Sequence, residues 1–519
     1  MNRSRHTERS RPIHRMLGAA ASLLCMASSL ALAADQSQPA STVIINAQLA
    51  DGTGAPLQQR SLRIVGDRIE QIGKFAPKPG ERVIDATGLV LAPGFIDMHN
   101  HSDDAMDRDP LVETQIAQGI TTTLLGLDGG SPWPIGAWLE RRRKQPAAVN
   151  VALTVGHATV REKVMGKDFR RVARPDEVEK MAQLVDQGMR EGAFGLSSGV
   201  EYDVASYAST DELVALSRVA AKYHGFYISH VRDEADKSMD SLLEIIAIGE
   251  RAKIPVQQSH IKLGTVNVWH KAPEFVRVIE AARKRGVDYT ADCYPYDGWA
   301  STIKVLVPNK QYTDPKSVER ALADAGGAER ITIMFFAPNR SYERHTLAEL
   351  AKRFGVSPVD AYIRIIKEGD AANDDASVIG RTMVEDDIKV FYQQPWVMVS
   401  SDGGVGLPHP RSAGTYPRVL GQFVREKKWL TLPEAVRKMT SLPAQRLGWK
   451  DRGVLHVGAI ADLVLFNPQT VIDRATFTEP ELLPKGIETV FVNGVAVWKD
   501  GKATGARPGR ALTKQATKS

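Results

Sequence analysis

Seven side chains scattered over three hundred residues form a set that can do metal chemistry: His99, His101, Asp128, His157, His230, His260 and Asp402. His99 and His101 are separated by one residue, so on a strand both point to the same face and can converge on one ion. His230 and His260 lie thirty residues apart, the length of one βα repeat, which puts them on neighbouring strands about 5 Å apart. Neutral imidazoles with a carboxylate in reach suit Zn²⁺. Any one of these residues alone reads as an ordinary satisfied polar group. Six of them, two paired on one apolar run and four at the ends of other runs, read as a metal site with an acid beside it. His157, in Gly156-His157-Ala158-Thr159, reads as structural or as a supporting neighbour.

The elements that must position them alternate short apolar runs with amphipathic segments, the pattern of βα units. Eight strands are expected at 94–101, 121–128, 149–157, 192–199, 225–230, 254–260, 287–294 and 396–402. Helices fall between most of them, as at 176–190, 211–223, 238–253 and 273–285. Eight such units close into an α/β fold of the (β/α)8 TIM-barrel type over 94–440, in which functional groups sit at the C-terminal strand ends. Residues 299–394 exceed one crossover and read as an insertion placed to act as a lid. Apolar–polar alternation over 41–93 and again within 441–512, with a hairpin signal at Asn493-Gly494, predicts a small β-sandwich domain built from both chain ends. Beyond Gly505 the chain is polar and reads as frayed, with 513–519 a flexible tail.

The 519 residues are 43% hydrophobic and 25% charged, with 42 Gly and 28 Pro, which excludes disorder, collagen and coiled coil. Arg3, Arg5, Arg9, Arg11 and Arg15 against Glu8 carry +4 of the formal +6, leaving +2 elsewhere. Without clustered basic and aromatic stretches, nucleic acid is excluded as a partner. The basic start leads into an apolar stretch, 16–30, and a small-residue site at Ala31-Leu32-Ala33, the layout of a signal peptide over 1–33 cleaved after Ala33. The stretch is shorter than the roughly 20 residues of a membrane span, so a periplasmic or secreted enzyme is expected. A lipoprotein reading through Cys25 is weakened by Ser22, where such signals usually carry Leu. After cleavage Cys293 is the only cysteine, so no internal disulfide can form. The sequence sets no oligomeric state.

Pro93-Gly94-Phe95-Ile96-Asp97-Met98-His99-Asn100-His101 resembles the opening motif of the amidohydrolase superfamily. Within it the chain resembles the N-acyl-D-amino-acid deacylases, the D-aminoacylases. The resemblance runs through Gly195-Leu196-Ser197-Ser198-Gly199-Val200-Glu201-Tyr202, Ile228-Ser229-His230-Val231-Arg232-Asp233-Glu234, Ser259-His260-Ile261-Lys262, Tyr294-Pro295-Tyr296, Ser401-Asp402-Gly403, His409-Pro410-Arg411 and Met439-Thr440-Ser441-Leu442-Pro443-Ala444. It covers about Thr42 to Leu512. It implies zinc-dependent hydrolysis of an N-acyl amino acid, with Asp402 shuttling the proton of the attacking water. Lys262, Arg411, Tyr202 and Tyr294 are candidates to hold the substrate carboxylate. The chain departs from these relatives in the turn Gly126-Leu127-Asp128-Gly129, where they carry a cysteine ligand. Nor does 192–199 contain the lysine that bridges two metals elsewhere in the superfamily. Asp128 is therefore the candidate bridge between one ion at His99 and His101 and another at His230 and His260, for one or two zinc ions per chain.

Other substrates stay open: dipeptides, cyclic amides such as hydantoins, and N-acyl amino acids of either hand. Three readings compete more remotely. Gly195-Leu196-Ser197-Ser198-Gly199 fits the G-x-S-x-G elbow of serine hydrolases, though no helix is expected straight after it. Cys293 could be a nucleophile, without an identifiable base. A binding protein on a degenerate barrel would not need Asp402.

Overall fold

Each of the eight apolar runs becomes a short parallel strand. They are Phe95–Asp97, Ile120–Leu125, Asn150–Leu153 continued by Val155–Gly156, Gly195–Gly199, Phe226–His230, Val256–Gln258, Tyr289–Cys293 and Val397–Val399. Each pairs with the next in chain order. These strands are buried along their whole length, as continuous apolar runs covered on both sides must be. The last strand meets the first just past their C-terminal ends, where Asp402 N donates to His99 O at 2.8 Å and His101 N to Gly403 O at 2.8 Å. The ring thus closes at the level of the candidate ligands. A computed structural model describes residues 41–514; residues 1–40, with the signal peptide expected over 1–33, and residues 515–519 lie outside the described residues.

The crossover helices follow from local signals. In helix Thr210–Ala221, Ser209 caps the start by accepting from Glu212 N at 3.2 Å, and Leu213, Leu216 and Ala220 form the inward stripe. At the N-terminal mouth of the barrel, Leu442, Ala444 and Leu447 pack with Ile96, Leu124, Phe226, Ile228 and Met398. Helix Ser441–Leu447, which the sequence assigns to the β domain, therefore plugs the barrel.

The inserted segment is a small unit with its own core. Strands Trp299–Thr302, Ile331–Phe335 and Ser377–Gly380 form an antiparallel sheet. Helices Pro315–Asp324, Leu347–Phe354 and Pro358–Ala372 pack on it around Ile331, Ile333, Leu350, Tyr362 and Ile366. The insertion ends earlier than the sequence suggested. Helix Glu385–Tyr392 sends Ile388, Phe391 and Tyr392 into the barrel core, as the ordinary crossover to the last strand.

Strands from both chain ends join in one nine-stranded sheet, with Leu463–Phe466 pairing against Val90–Pro93. Residues expected to fray instead bind the barrel: Val151 N donates to Arg510 O at 2.9 Å, Leu512 N to Val151 O at 2.8 Å and Lys514 N to Gly192 O at 3.0 Å. Backbone pairing needs no apolar side chains, which is why composition alone misreads this segment. Among the described residues no helix is long and apolar enough to cross a membrane.

One buried network ties sheet to barrel. Asp462 is ion-paired to Arg452 and accepts from Asn493 N at 2.6 Å and from Asn150 Nδ2, on the third barrel strand, at 3.1 Å. Asp462→Ala leaves Arg452 buried without its counter-ion, so a loss of about 3–5 kcal/mol in unfolding free energy is expected, measured by denaturant titration. A change below about 1 kcal/mol would show that the network is replaceable.

Candidate metal centre

The candidate ligands converge because the barrel brings its strand ends to one mouth. Three of them also sit in backbone that side chains rarely adopt: φ is +51° at Asp128, +30° at His260 and +47° at Asp402. Such positions cost of order 1–3 kcal/mol each and persist where the surrounding fold over-determines them. At Asp128 the flanking glycines make the turn possible. Gly126 and Gly129 both have positive φ, and a Cβ on Gly129 would stand 3.0 Å from Gly199 N.

The result is two facing pairs of ring nitrogens. His99 Nε2 lies 3.2 Å from His101 Nε2, and His230 Nδ1 lies 3.1 Å from His260 Nε2. Asp128 stands between the pairs, with Oδ1 3.4 Å from His99 Nε2 and Oδ2 3.5 Å from His101 Nε2 and 3.8 Å from His260 Nε2. Asp402 Oδ1 completes the first pair, 3.1 Å from His101 Nε2 and 3.5 Å from His99 Nε2. Ligand atoms of His99, His101, Asp128 and Asp402 lie within 4.8 Å of one another, as do those of Asp128, His230 and His260.

This donor set fits zinc. Imidazole nitrogens and carboxylate oxygens are its ordinary ligands, and Asp128 Oδ1 is buried without a hydrogen-bond partner. Electrostatics point the same way. Burial opposes the charge of Asp128, yet His99 and the other facing imidazoles hold its carboxyl well below the usual range. Burial alone would lower the pKa of His101, yet its bonds to Asp128 and Asp402 raise it to about 9. The carboxylates favour positive charge at this spot, which a dication would supply.

Three carboxylates that the sequence reading passed over hold the outer side of the cage. Glu201 Oε2 lies 2.6 Å from His230 Nε2, and Glu234 Oε1 lies 3.2 Å from His260 Nδ1. Asp292 accepts from His260 N at 2.9 Å and from Ser400 Oγ at 2.7 Å, and stands 3.6 Å from His99 Nδ1. Carboxylates behind ligating histidines fix ring orientation and raise basicity. Glu201 and Glu234 stand inside the motif stretches, but only the fold shows which ring each one meets.

The four proposed carboxylate-binding residues have different surroundings. Lys262 Nζ is held by Glu234 Oε1 at 2.6 Å and lies 2.7 Å from His260 Nδ1, so its charge is engaged in the cage. Tyr202 Oη lies 3.2 Å from His230 Nδ1. Arg411 Nη1 bonds Asp402 Oδ2 at 2.7 Å, and its guanidinium lies 4.8 Å over the Tyr294 ring. Arg411 Nε and Tyr294 Oη are both buried and have no partner. A cavity of about 510 Å³ opens over the centre, lined by ligands of both pairs, by Tyr202 and Arg411, and by the inserted unit.

The competing nucleophiles fail on geometry. Ser198 sits inside a strand with its Oγ on Tyr227 and Ser229, and Ser197 Oγ accepts from Gly129 N at 3.2 Å; neither bonds a histidine. Cys293 is buried, burial pushes its thiol pKa up, and its sulfur faces the carbonyls of Ile261 and Tyr294. His157 is a buried structural residue, 2.8 Å from Glu212, which also pairs with Arg161.

Comparison with known proteins agrees with this geometry. Residues 82–502 match the model of the family described as Amidohydrolase family. The chain is 35% identical over 499 residues to the N-acyl-D-glutamate deacylase of Alcaligenes xylosoxydans xylosoxydans, covering 92% of this chain and 97% of that one. It is 34% identical over 505 residues to the D-aminoacylase of the same organism, covering 92% and 99%. The crystal structure of N-acyl-D-glutamate deacylase from Bordetella bronchiseptica, complexed with zinc and a phosphonate mimic of the tetrahedral intermediate, superposes with a TM-score of 0.82 at 34% identity, covering 91% of this chain and 99% of that one. The two Alcaligenes relatives are equally distant, so similarity alone selects no side chain.

Zinc requires deprotonated ligands, so the proton held at His101 must leave on binding. Zinc uptake at pH 7 should therefore release protons, and apparent affinity should rise from about pH 6 to about pH 9. Calorimetric titration in buffers of different ionisation enthalpy measures both, and proton-neutral, pH-independent binding would contradict the assignment. Asp128→Ala should lower zinc content, whereas Asp128→Cys should keep the ion at His230 and His260. Unchanged zinc content in Asp128→Ala would remove Asp128 from the ligand set.

Proposed function

The chain belongs to the amidohydrolase family and is a metal-dependent hydrolase, and we propose that it removes the acyl group from N-acyl-D-amino acids. The observation that carries this reading is Arg411, which lines the cavity beside Asp402 with its Nε buried and unpartnered. Buried donors without partners are costly unless a ligand satisfies them. A carboxylate in the cavity offers Arg411 an acceptor and a charge to match the guanidinium. An N-acyl amino acid carries a carboxylate two bonds from its amide nitrogen, so holding it at Arg411 brings the scissile amide toward the metal centre. The names of the relatives support the D configuration.

His99, His101, Asp128, His230 and His260 would hold zinc, with Asp402 at the edge of the first pair. Zinc bound there supplies Lewis acidity, acidifying a water and polarising the amide carbonyl. Asp402 is placed to take the proton from the attacking water and return it to the amine nitrogen as the C–N bond breaks. Burial works against the charge on Asp402, but Arg411 and the facing imidazoles hold its pKa well below the usual range. When a substrate carboxylate shares Arg411, that hold weakens and Asp402 becomes the stronger base. Tyr202 Oη, near the inner nitrogen of His230, is placed to donate to the oxygen on which charge develops. The basic, apolar and small-residue pattern of 1–33 supports export to the periplasm or medium.

Comparing an N-acyl-D-amino acid with its methyl ester tests the reading. Charge-assisted hydrogen bonds contribute about 1.5–3 kcal/mol each, so esterification should lower kcat/KM by about a hundredfold or more. Arg411→Ala should impair the acid far more than the ester while retaining zinc. Lys262→Ala, which frees Glu234 and His260, should lower zinc affinity as well. Equal rates on acid and ester would overturn the assignment in favour of a general amidase. Asp402→Asn should keep most of the zinc and lose about three orders of magnitude in kcat. Loss of zinc at unchanged turnover per bound metal would contradict the shuttle role.

A further inference from the structure

The cavity has two chemically different sides. One is the metal centre with its carboxylates. The other is formed by the inserted unit and the loop after the last barrel strand, through Trp299, Val305, Leu306, Leu407 and Pro408. Among the described residues lining the whole cavity there are only two permanent cations, Lys262 and Arg411, against five carboxylates. Neither cation is spare. Lys262 is fixed between Glu234 and His260, and Arg411 bonds Asp402 while offering its free Nε beside Tyr294. Asp324, the one acid on the far wall, is held by Asn267 Nδ2 at 2.9 Å and by Arg320 at 3.3 Å, so its charge is already answered.

From this distribution we infer that the enzyme acts on N-acyl-D-amino acids with uncharged, apolar side chains and discriminates against acidic ones. The inference rests on the deacylase reading above and names the side-chain class. It takes the substrate with its carboxylate at Arg411 and its amide at the metal centre, which leaves the side chain to the far wall. The substrate's own carboxylate uses the one free guanidinium edge. A second carboxylate, from a glutamate or aspartate side chain, is then left to the far wall, whose polar groups include the neutral Ser301, Thr302 and Ser377 and the already paired Asp324, and no cation. There it is desolvated without a counter-ion. An aliphatic or aromatic side chain loses water against Trp299, Leu306 and Leu407 and gains from it. A cavity of about 510 Å³ has room for such a side chain together with the acyl group.

The test uses zinc-loaded full-length protein and three substrates, the N-acetyl derivatives of D-leucine, D-glutamine and D-glutamate. Glutamine and glutamate are nearly isosteric, so their ratio reads charge; leucine against glutamine reads polarity at similar size. The structure predicts kcat/KM for leucine at or above that for glutamine, and glutamate lower than glutamine by about a hundredfold or more. Glutamate within about threefold of glutamine, or faster, overturns this inference and leaves the deacylase reading intact. Hydrolysis of none of the three overturns the deacylase reading and this inference with it.

Discussion

Two pairs of imidazole nitrogens, each about 3 Å apart, face a carboxylate that lies between them, and this convergence is what the rest of the chain serves. Ring nitrogens gather this closely in a buried site when a cation is there to bind them. Holding them takes backbone in the left-handed region at Asp128, His260 and Asp402, and glycines at 126 and 129. It also takes closure of the strand ring at the level of the ligands, through His99, His101, Asp402 and Gly403. The plug of Leu442, Ala444 and Leu447 fills the opposite mouth, leaving the strand ends as the open one.

A second layer of charge makes the cage specific. Glu201, Glu234 and Asp292 stand behind three of the four histidines, and Lys262 neutralises Glu234 so that it can remain buried and ionised. Burial works against that ionisation, but Lys262, His230 and His260 outweigh it and hold the pKa of Glu234 well below the usual range. Arg411 links this cage to the substrate. The same guanidinium that restrains Asp402 is the one with a free edge, so recognition of a carboxylate and readiness of the base share one side chain.

Much of this was legible in the sequence because barrel strands are short, apolar and end in their functional residues. The spacing of His99 and His101, and the thirty residues between His230 and His260, carry over directly into facing rings. What escaped depends on contacts between segments distant in the chain. Glu234 and Asp292 look like ordinary acids until the fold places them behind the rings of His260 and His99. Lys262 was read as a substrate cation because spacing gives its face but not its partner. Helix Glu385–Tyr392 was counted with the insertion because its amphipathic pattern is the same whether it packs on the inserted unit or the barrel. The segment after Gly505 is held largely through its backbone, with only Ala511 and Leu512 packed on apolar cores, which leaves little apolar trace.

The central claim is that this convergence is a zinc centre with Asp128 as a ligand. Anomalous diffraction at the zinc absorption edge, on crystals of the zinc-loaded protein, tests it most directly. The account predicts one or two zinc peaks between the histidine pairs, with Asp128 oxygen and imidazole nitrogen at about 2.0–2.2 Å from the ion. Zinc bound elsewhere, or between the histidines with Asp128 turned away, would contradict it.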